Sequence, residues 1–363
     1  MSFSRLHGPL FPRMGRLRPA SSAAIDMVEA AYRLAEDESD WLDHVLQAGF
    51  CTMEQAVFAT GVTFQGAGDD QIARVQTWRH AGASDEVQKA AVNHAARVPK
   101  EVERAWFRQG VVDTASEISD GSRRFFEAIA SKTGTIADGL LVNAIDPDGH
   151  GAYIAILLPE QTKLHAIEYE RWKMLGAHVS AGHRMRAAIG SAKPASTPLP
   201  CGAEAMVDPK TFQVIEAAGP AQDRTTAAVL RDSARRVDRA RGRLRKTDPD
   251  EALQTWCALM HGRWSMVDWF DSDGRRFVLG VPNPPDLGDP RGLTERELQV
   301  ATYAALGETG KLIGYRLGIA KGAVSRELHT AMHKLGVKTQ PQLAKKMGGF
   351  ARYFGRARKT KSN

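Results

Sequence analysis

The chain has 363 residues, 43% of them apolar and 25% charged, and a formal net charge of +7. That length carries two or three ordinary cores, and the composition is that of a globular protein. No stretch approaches the ~18–20 uncharged apolar residues needed to cross a bilayer. The charge is uneven: residues 291–363 hold 15 Lys+Arg against 4 Asp+Glu, whereas residues 1–290 hold 34 against 38. A positive balance confined to the last fifth of the chain suits a polyanionic partner such as nucleic acid, although a merely solvated basic surface has the same balance.

Residues 1–23 form a basic leader with Arg5, Arg13, Arg16 and Arg18. It lacks the apolar run of a signal peptide and reads as disordered, with an organelle transit peptide as the weaker alternative. Cys51, Cys201 and Cys257 are far apart and odd in number. They have neither disulfide-framework nor zinc-site spacing, so a cytoplasmic location is expected.

Residues 24–190 read as one α/β unit. Ile25, Val28, Ala31 and Leu34 have helical period. "AVFATGVTFQGA" and "QIARVQTWRH" read as strands, followed by helical stretches near 84–97 and 118–132. Two β-rich runs flank the turn Asp146-Pro147-Asp148-Gly149 as a hairpin, and a long helix runs from about Leu164 to Ile189. This order resembles a GAF-like sensor domain, which implies helices on both sides of an antiparallel sheet. Residues 191–205 are small, Pro-containing and low in charge, and read as a linker. Residues 206–282 then read strand, two helices and a hairpin turning at Asp273-Gly274. They form either a small α+β, PAS-like unit or an extension of the first domain. Residues 283–292, "NPPDLGDPRG", are the clearest linker in the chain.

Residues 293–347 carry the strongest local signals. Thr294 and Glu297 have capping-box spacing, and Gly307 closes that helix. A second helix spans "TGKLIGYRLG", with Gly318-Ile319 as the turn, and a third ends at Gly336. A fourth, from Gln340 to about Met347, has Pro341 in its first turn. At 100° per residue, Val324, Leu328, Ala331 and Leu335 of the third helix fall within about 60° of one another. Ser325, Arg326, His329 and His333 lie opposite, with no carboxylate among them. An apolar stripe with a hydrogen-bonding, cationic reverse face is what a helix in a major groove requires. Lys321, Lys334 and Lys338 flank that face, within reach of phosphates.

"LTERELQVATYAALGETGKLIGYRLGIAKGAVSRELHTAMHKLGVKTQPQL" resembles the DNA-binding domain of LuxR-type transcriptional regulators. The resemblance implies an all-α helix-turn-helix domain of four short helices. It adds Thr309 and Lys311 to the DNA-binding set and gives the fourth helix a part in pairing two such modules. Ala320 stands where the family usually has a capping serine, and Gly322, Ser325 and Glu327 also depart from its pattern. The basic tail, 348–363, carries five Lys+Arg for sequence-independent phosphate attraction.

Other chemistry finds less support. His329 and His333 have metal-ligand spacing but no third ligand nearby in sequence. No phosphate-binding glycine loop, GxSxG or HExxH is present, and the acid pairs Asp146/Asp148 and Asp271/Asp273 sit in turns. The chain also lacks the strand–Asp pattern of a receiver domain. The expectation is a non-enzymatic, multi-domain transcriptional regulator with no metal and no cofactor, built of an α+β sensor region (GAF/PAS-like) and a helix-turn-helix domain. Its partners would be double-stranded DNA, a second copy of the chain, an unknown small-molecule or protein signal, and RNA polymerase as a further candidate, with no membrane. Seven tryptophans precede the DNA module and are expected mostly in the core, some of them lining a ligand pocket. The alternative is a signalling or scaffolding dimer that acts through protein contacts and binds DNA weakly.

Overall fold

The computed structural model describes residues 22–65, 74–82, 84, 93, 97–106, 112–133, 136–145, 150–190, 197–257, 264–282 and 293–347. The leader 1–21, the turn 146–149, the linker 283–292, the tail 348–363 and most of the helix expected near 84–97 lie outside the described residues.

The first unit is a five-stranded antiparallel sheet in the order β2-β1-β5-β4-β3. Its strands are β1 (Phe58–Gln65), β2 (Arg74–Ala81), β3 (Val112–Thr114), β4 (Asp138–Ile145) and β5 (Gly151–Leu158). Every residue of β4 and β5 is buried, which explains why their sequences run apolar rather than alternating. Cross-strand pairing of Val62 with Tyr153 and of Asn143 with Tyr153 fixes two faces. One face carries Phe58, Val62, Leu141, Tyr153 and Leu157. Helices α3 (Lys100–Trp106) and α4 (Asp120–Thr133) cover it, and Trp106 and Phe126 join its core. The other face carries Leu140, Val142, Ile154, Ile156 and Leu158. It packs on α1 (Ala23–Ala31), α2 (Glu38–Cys51) and α5 (Ala166–Gly190). Gly182 lets α5 cross α1 closely, because a Cβ there would lie 1.9 Å from the Ala31 carbonyl oxygen.

The second sheet has the order β7-β6-β9-β8, with β6 (Ala205–Val207), β7 (Val214–Ala217), β8 (Trp264–Phe270) and β9 (Arg276–Pro282). Helix α6 (Arg224–Arg239) starts at Asp223, whose carboxylate caps Thr225 and Thr226, and α7 (Pro249–Thr255) follows after a kink at Gly242. The expected helix through Gly262 is therefore short: α7 ends at Thr255, and residues 258–263 lie outside the described set.

The boundary expected at 191–205 needs correction. Leu199, Ala203 and Ala205 are buried, and Ala205 already pairs with Ala217 and Gly280. Small residues made this stretch look like a linker, yet small side chains are also what a tightly packed strand start accepts. Residues 206–282 have no core of their own. A single buried cluster runs from α1 and α5 through Val207, Leu230 and Val278. Paired charges reinforce the join: Arg241 Nε lies 2.8 Å from Glu29 Oε1 on α1, Arg245 pairs with Asp26 and Glu29, and Arg241 also meets Asp268 of β8.

The C-terminal unit is helical: α8 (Glu295–Ala305), α9 (Gly310–Leu317), α10 (Lys321–Leu335) and α11, residues 340–347. Thr294 and Glu297 form the expected capping box. Leu298, Val300, Ile313, Leu317, Val324 and Leu335 are among the side chains that form its separate core, with Leu343 and Met347 from α11. Each large aliphatic side chain buried there contributes roughly 1.5–3 kcal/mol.

Candidate nucleic-acid interface

Local chemistry sets the angle between α9 and α10. Thr309 Oγ1 accepts from the Leu312 amide and starts α9. Gly318, in the left-handed region at φ 64°, ends it. Gly314 faces the turn so closely that a Cβ would lie 2.7 Å from the Ile319 carbonyl oxygen. As the sequence suggests, Ala320 offers α10 no side-chain cap. Gly336, at φ 66°, closes it.

The two sides of α10 separate cleanly. Val324, Ala331 and Leu335 are buried, and Leu328 packs against the same core. Lys321, Ser325, Arg326, His329, Thr330 and His333 are exposed together on the reverse side. Ser325 Oγ and Thr330 Oγ1 donate to carbonyls four residues earlier, at 3.2 and 3.0 Å. Glu327 is half-buried on the flank. This surface offers hydrogen-bond donors and positive charge without an exposed carboxylate, the chemistry that reads guanine edges and meets phosphates.

The remaining predicted DNA contacts have different surroundings. Lys334 Nζ donates to the buried Glu297 carboxylate at 2.7 Å. Burial opposes that charge, yet the Lys334 ammonium and the Thr294 amide hold the Glu297 carboxyl below its usual range. Lys334 thus ties α10 to the first turn of α8. Lys338 is exposed, and its amide donates to Gln342 Oε1 at 2.8 Å. Thr309 serves as the α9 cap, and Lys311 Nζ lies 3.7 Å from Glu170 Oε2 on α5. His329 and His333 have no Cys, Asp or Glu completing a cluster: among the described residues no group of three or more such ligands comes together. No helix among the described residues is long and apolar enough to cross a membrane.

Sequence reasoning missed the outer face of α9. Ile313 and Leu317 point into the helical core, but Leu312 and Tyr315 belong to the core of the rest of the chain. Tyr315 Oη lies 2.7 Å from the Leu253 carbonyl, 2.8 Å from that of Trp256 and 2.8 Å from His178 Nε2 on α5. Arg316 grips Glu308 with two hydrogen bonds, of 2.8 and 3.2 Å, and donates to Ser180 Oγ at 3.1 Å. Arg184 of α5 reaches Tyr303 Oη at 3.3 Å. A signal was available: Leu312 and Tyr315, three residues apart, make a second apolar stripe on a helix that needs only one.

Comparison with known proteins bears on the helical unit. Residues 291–347 match the family profile for bacterial regulatory proteins of the luxR family. No curated protein gives a match. Two solved structures are similar at 9% identity and a TM-score of 0.33: SdiA of Escherichia coli, and SdiA in complex with octanoyl-rac-glycerol. Each alignment covers 91% of this chain, with 97% of the first structure's chain and 94% of the second's. With four helices, a tight glycine-containing turn and the matched profile over the same residues, residues 291–347 are a regulatory domain of the bacterial luxR family.

Proposed function

We propose that the protein is a transcriptional regulator in which α10 lies in the major groove of duplex DNA. In this reading Arg326 makes the principal base contact. Ser325, His329 and His333 supply further hydrogen bonds, while Lys321 and Lys338, with Thr309 and Lys311 at the start of α9, meet backbone phosphates. Lys334 adds positive potential from its place beside Glu297. The observation that carries the reading is the segregation of α10 into a buried apolar stripe and an exposed carboxylate-free face, inside a luxR-family domain. An arginine bidentate to guanine is worth ~1–3 kcal/mol of discrimination. Binding-site selection with the full chain should therefore return a defined motif, and Arg326→Ala should lose preference at one or two of its positions. A motif unchanged by that substitution would remove Arg326 from the interface.

The α+β region is read as the sensor. Trp106 stacks on Tyr153 at 6.5 Å and meets Phe125 and Phe126 edge-on or tilted, with Trp78 packed on the same sheet face. An aromatic-rich face between a sheet and its covering helices suits an apolar or aromatic small molecule. The chain acts as a homodimer on a pseudo-palindromic site, as helix-turn-helix modules commonly do. RNA polymerase is the partner an activator of this kind would contact.

A further inference from the structure

Four elements meet at one buried point beneath the DNA module. The Ser265 hydroxyl of β8 bonds Tyr32, and Tyr32 Oη lies 2.9 Å from His178 Nδ1. His178 Nε2 faces both the Trp256 carbonyl and Tyr315 Oη, at 2.9 and 2.8 Å. One proton order satisfies the chain: Tyr32 donates to Nδ1 of a neutral imidazole, Nε2–H donates toward the Trp256 carbonyl and Tyr315 Oη, and Tyr315 donates to the Leu253 carbonyl. All three side chains are buried, so each of these bonds is costly to leave unmade. The Arg316–Glu308 pair with Ser180 is a second point of attachment on the same helix.

This docking puts a wall beside the end of α10 that a groove must admit. Lys311 and Lys321, in the first turns of α9 and α10, line a cleft of about 340 Å³. Glu170 and Met174 of α5 form part of its opposite side. In helix-turn-helix docking the N-terminal residues of the reading helix approach the bases, with phosphates on either side. A duplex whose major groove alone is ~12 Å wide does not enter a space of that size. The Glu170 carboxylate, 3.7 Å from Lys311, presents negative charge where a phosphate would sit.

We propose that the docked arrangement is a closed, weakly binding state, in which the Tyr315 latch holds α9 on α5 and Glu170 occupies Lys311 in place of a DNA phosphate. Full contact with duplex then requires the DNA module to leave α5. This rests on the DNA-reading role proposed above and assigns its regulation to the α5–α9 contact.

The test compares the full chain with its Tyr315→Phe and Glu170→Gln variants. Affinity for a labelled random-sequence duplex is read by fluorescence anisotropy across a salt series, and exchange of the α9 amides without DNA by mass spectrometry. Tyr315→Phe keeps the ring and removes the latch hydroxyl, which lowers the docked-to-undocked ratio roughly tenfold. Apparent affinity should rise by up to the same factor, because binding drawn from a minor form is weakened by that form's population. The α9 amides should exchange correspondingly faster. Glu170→Gln leaves the latch intact and should raise affinity by a smaller factor, lost as salt increases; it carries the test if Tyr315→Phe does not fold. Wild-type duplex affinity in both variants, or α9 exchange unchanged by Tyr315→Phe, would overturn the proposal. Absence of duplex binding in all three chains would overturn the DNA-reading role itself, and this proposal with it.

Discussion

Acidification should loosen this protein through one histidine before its carboxylates begin to protonate. Burial pushes the His178 imidazole down to about 3, while the Trp256 carbonyl partly counters the shift and Arg316 adds to it. In the unfolded chain the same group titrates near ~6.5. The unfolded state therefore takes up the proton first, and stability rises with pH across the window between those values. The contribution is complete above about pH 6.5 and is lost progressively as pH falls toward 3. By linkage, the loss between pH 7.5 and 5 is about 2 kcal/mol. Urea unfolding followed by tryptophan fluorescence measures it, since Trp256 packs against both His178 and Tyr32. His178→Gln should be less stable at pH 7.5 but show a flatter dependence over this range. His80, whose imidazole burial also lowers, contributes equally to both proteins. Equal slopes for wild type and variant between pH 7.5 and 5 would refute the reasoning.

Four further outcomes are expected. Glu308→Ala leaves the Arg316 guanidinium buried and unpaired, and should cost about 3–5 kcal/mol in chemical denaturation. Gly314→Ala forces a Cβ against the Ile319 carbonyl and should destabilise the helical unit by about 1–3 kcal/mol, visible as a lower urea midpoint with tryptophan spectra otherwise unchanged. Lys334→Met removes the charge that depresses Glu297; the stability that wild type loses as pH falls below about 4.5 should shrink, and an unchanged acid limb would contradict the Lys334–Glu297 assignment. Lys338→Ala should weaken all duplexes alike and reduce the slope of log affinity on log salt by about 0.9, whereas an unaltered slope would remove it from the phosphate set.

The helical reader was legible because each of its signals is local. Thr294, Glu297, Gly307, Gly318 and Gly336 fix helix ends by backbone chemistry, and the period of Val324, Leu328, Ala331 and Leu335 fixes the buried side. The hairpin of β4 and β5 was legible for the same reason. What escaped depends on distant partners. Leu199, Ala203 and Ala205 are small residues whose packed role exists only because β9 and β7 lie beside them. His178 looks like any helix histidine until Tyr32 and Tyr315, 146 and 137 residues away in sequence, converge on its ring. Lys334 and Lys311 were read from the face of a helix, where a lysine suggests a phosphate contact. Glu297 and Glu170 come from other elements, and the charge asymmetry along the chain does not reveal such pairs.

The central claim is that the exposed side of α10 meets DNA bases. The most direct measurement places a short photo-crosslinker at Ser325 of the full chain, with a control at Ile215 on β7, which is also exposed. Bound to a duplex obtained by binding-site selection and irradiated, the Ser325 derivative should form adducts at a few defined bases, and the control should form none. Comparable yields from both positions, or adducts spread evenly along the duplex, would contradict the account.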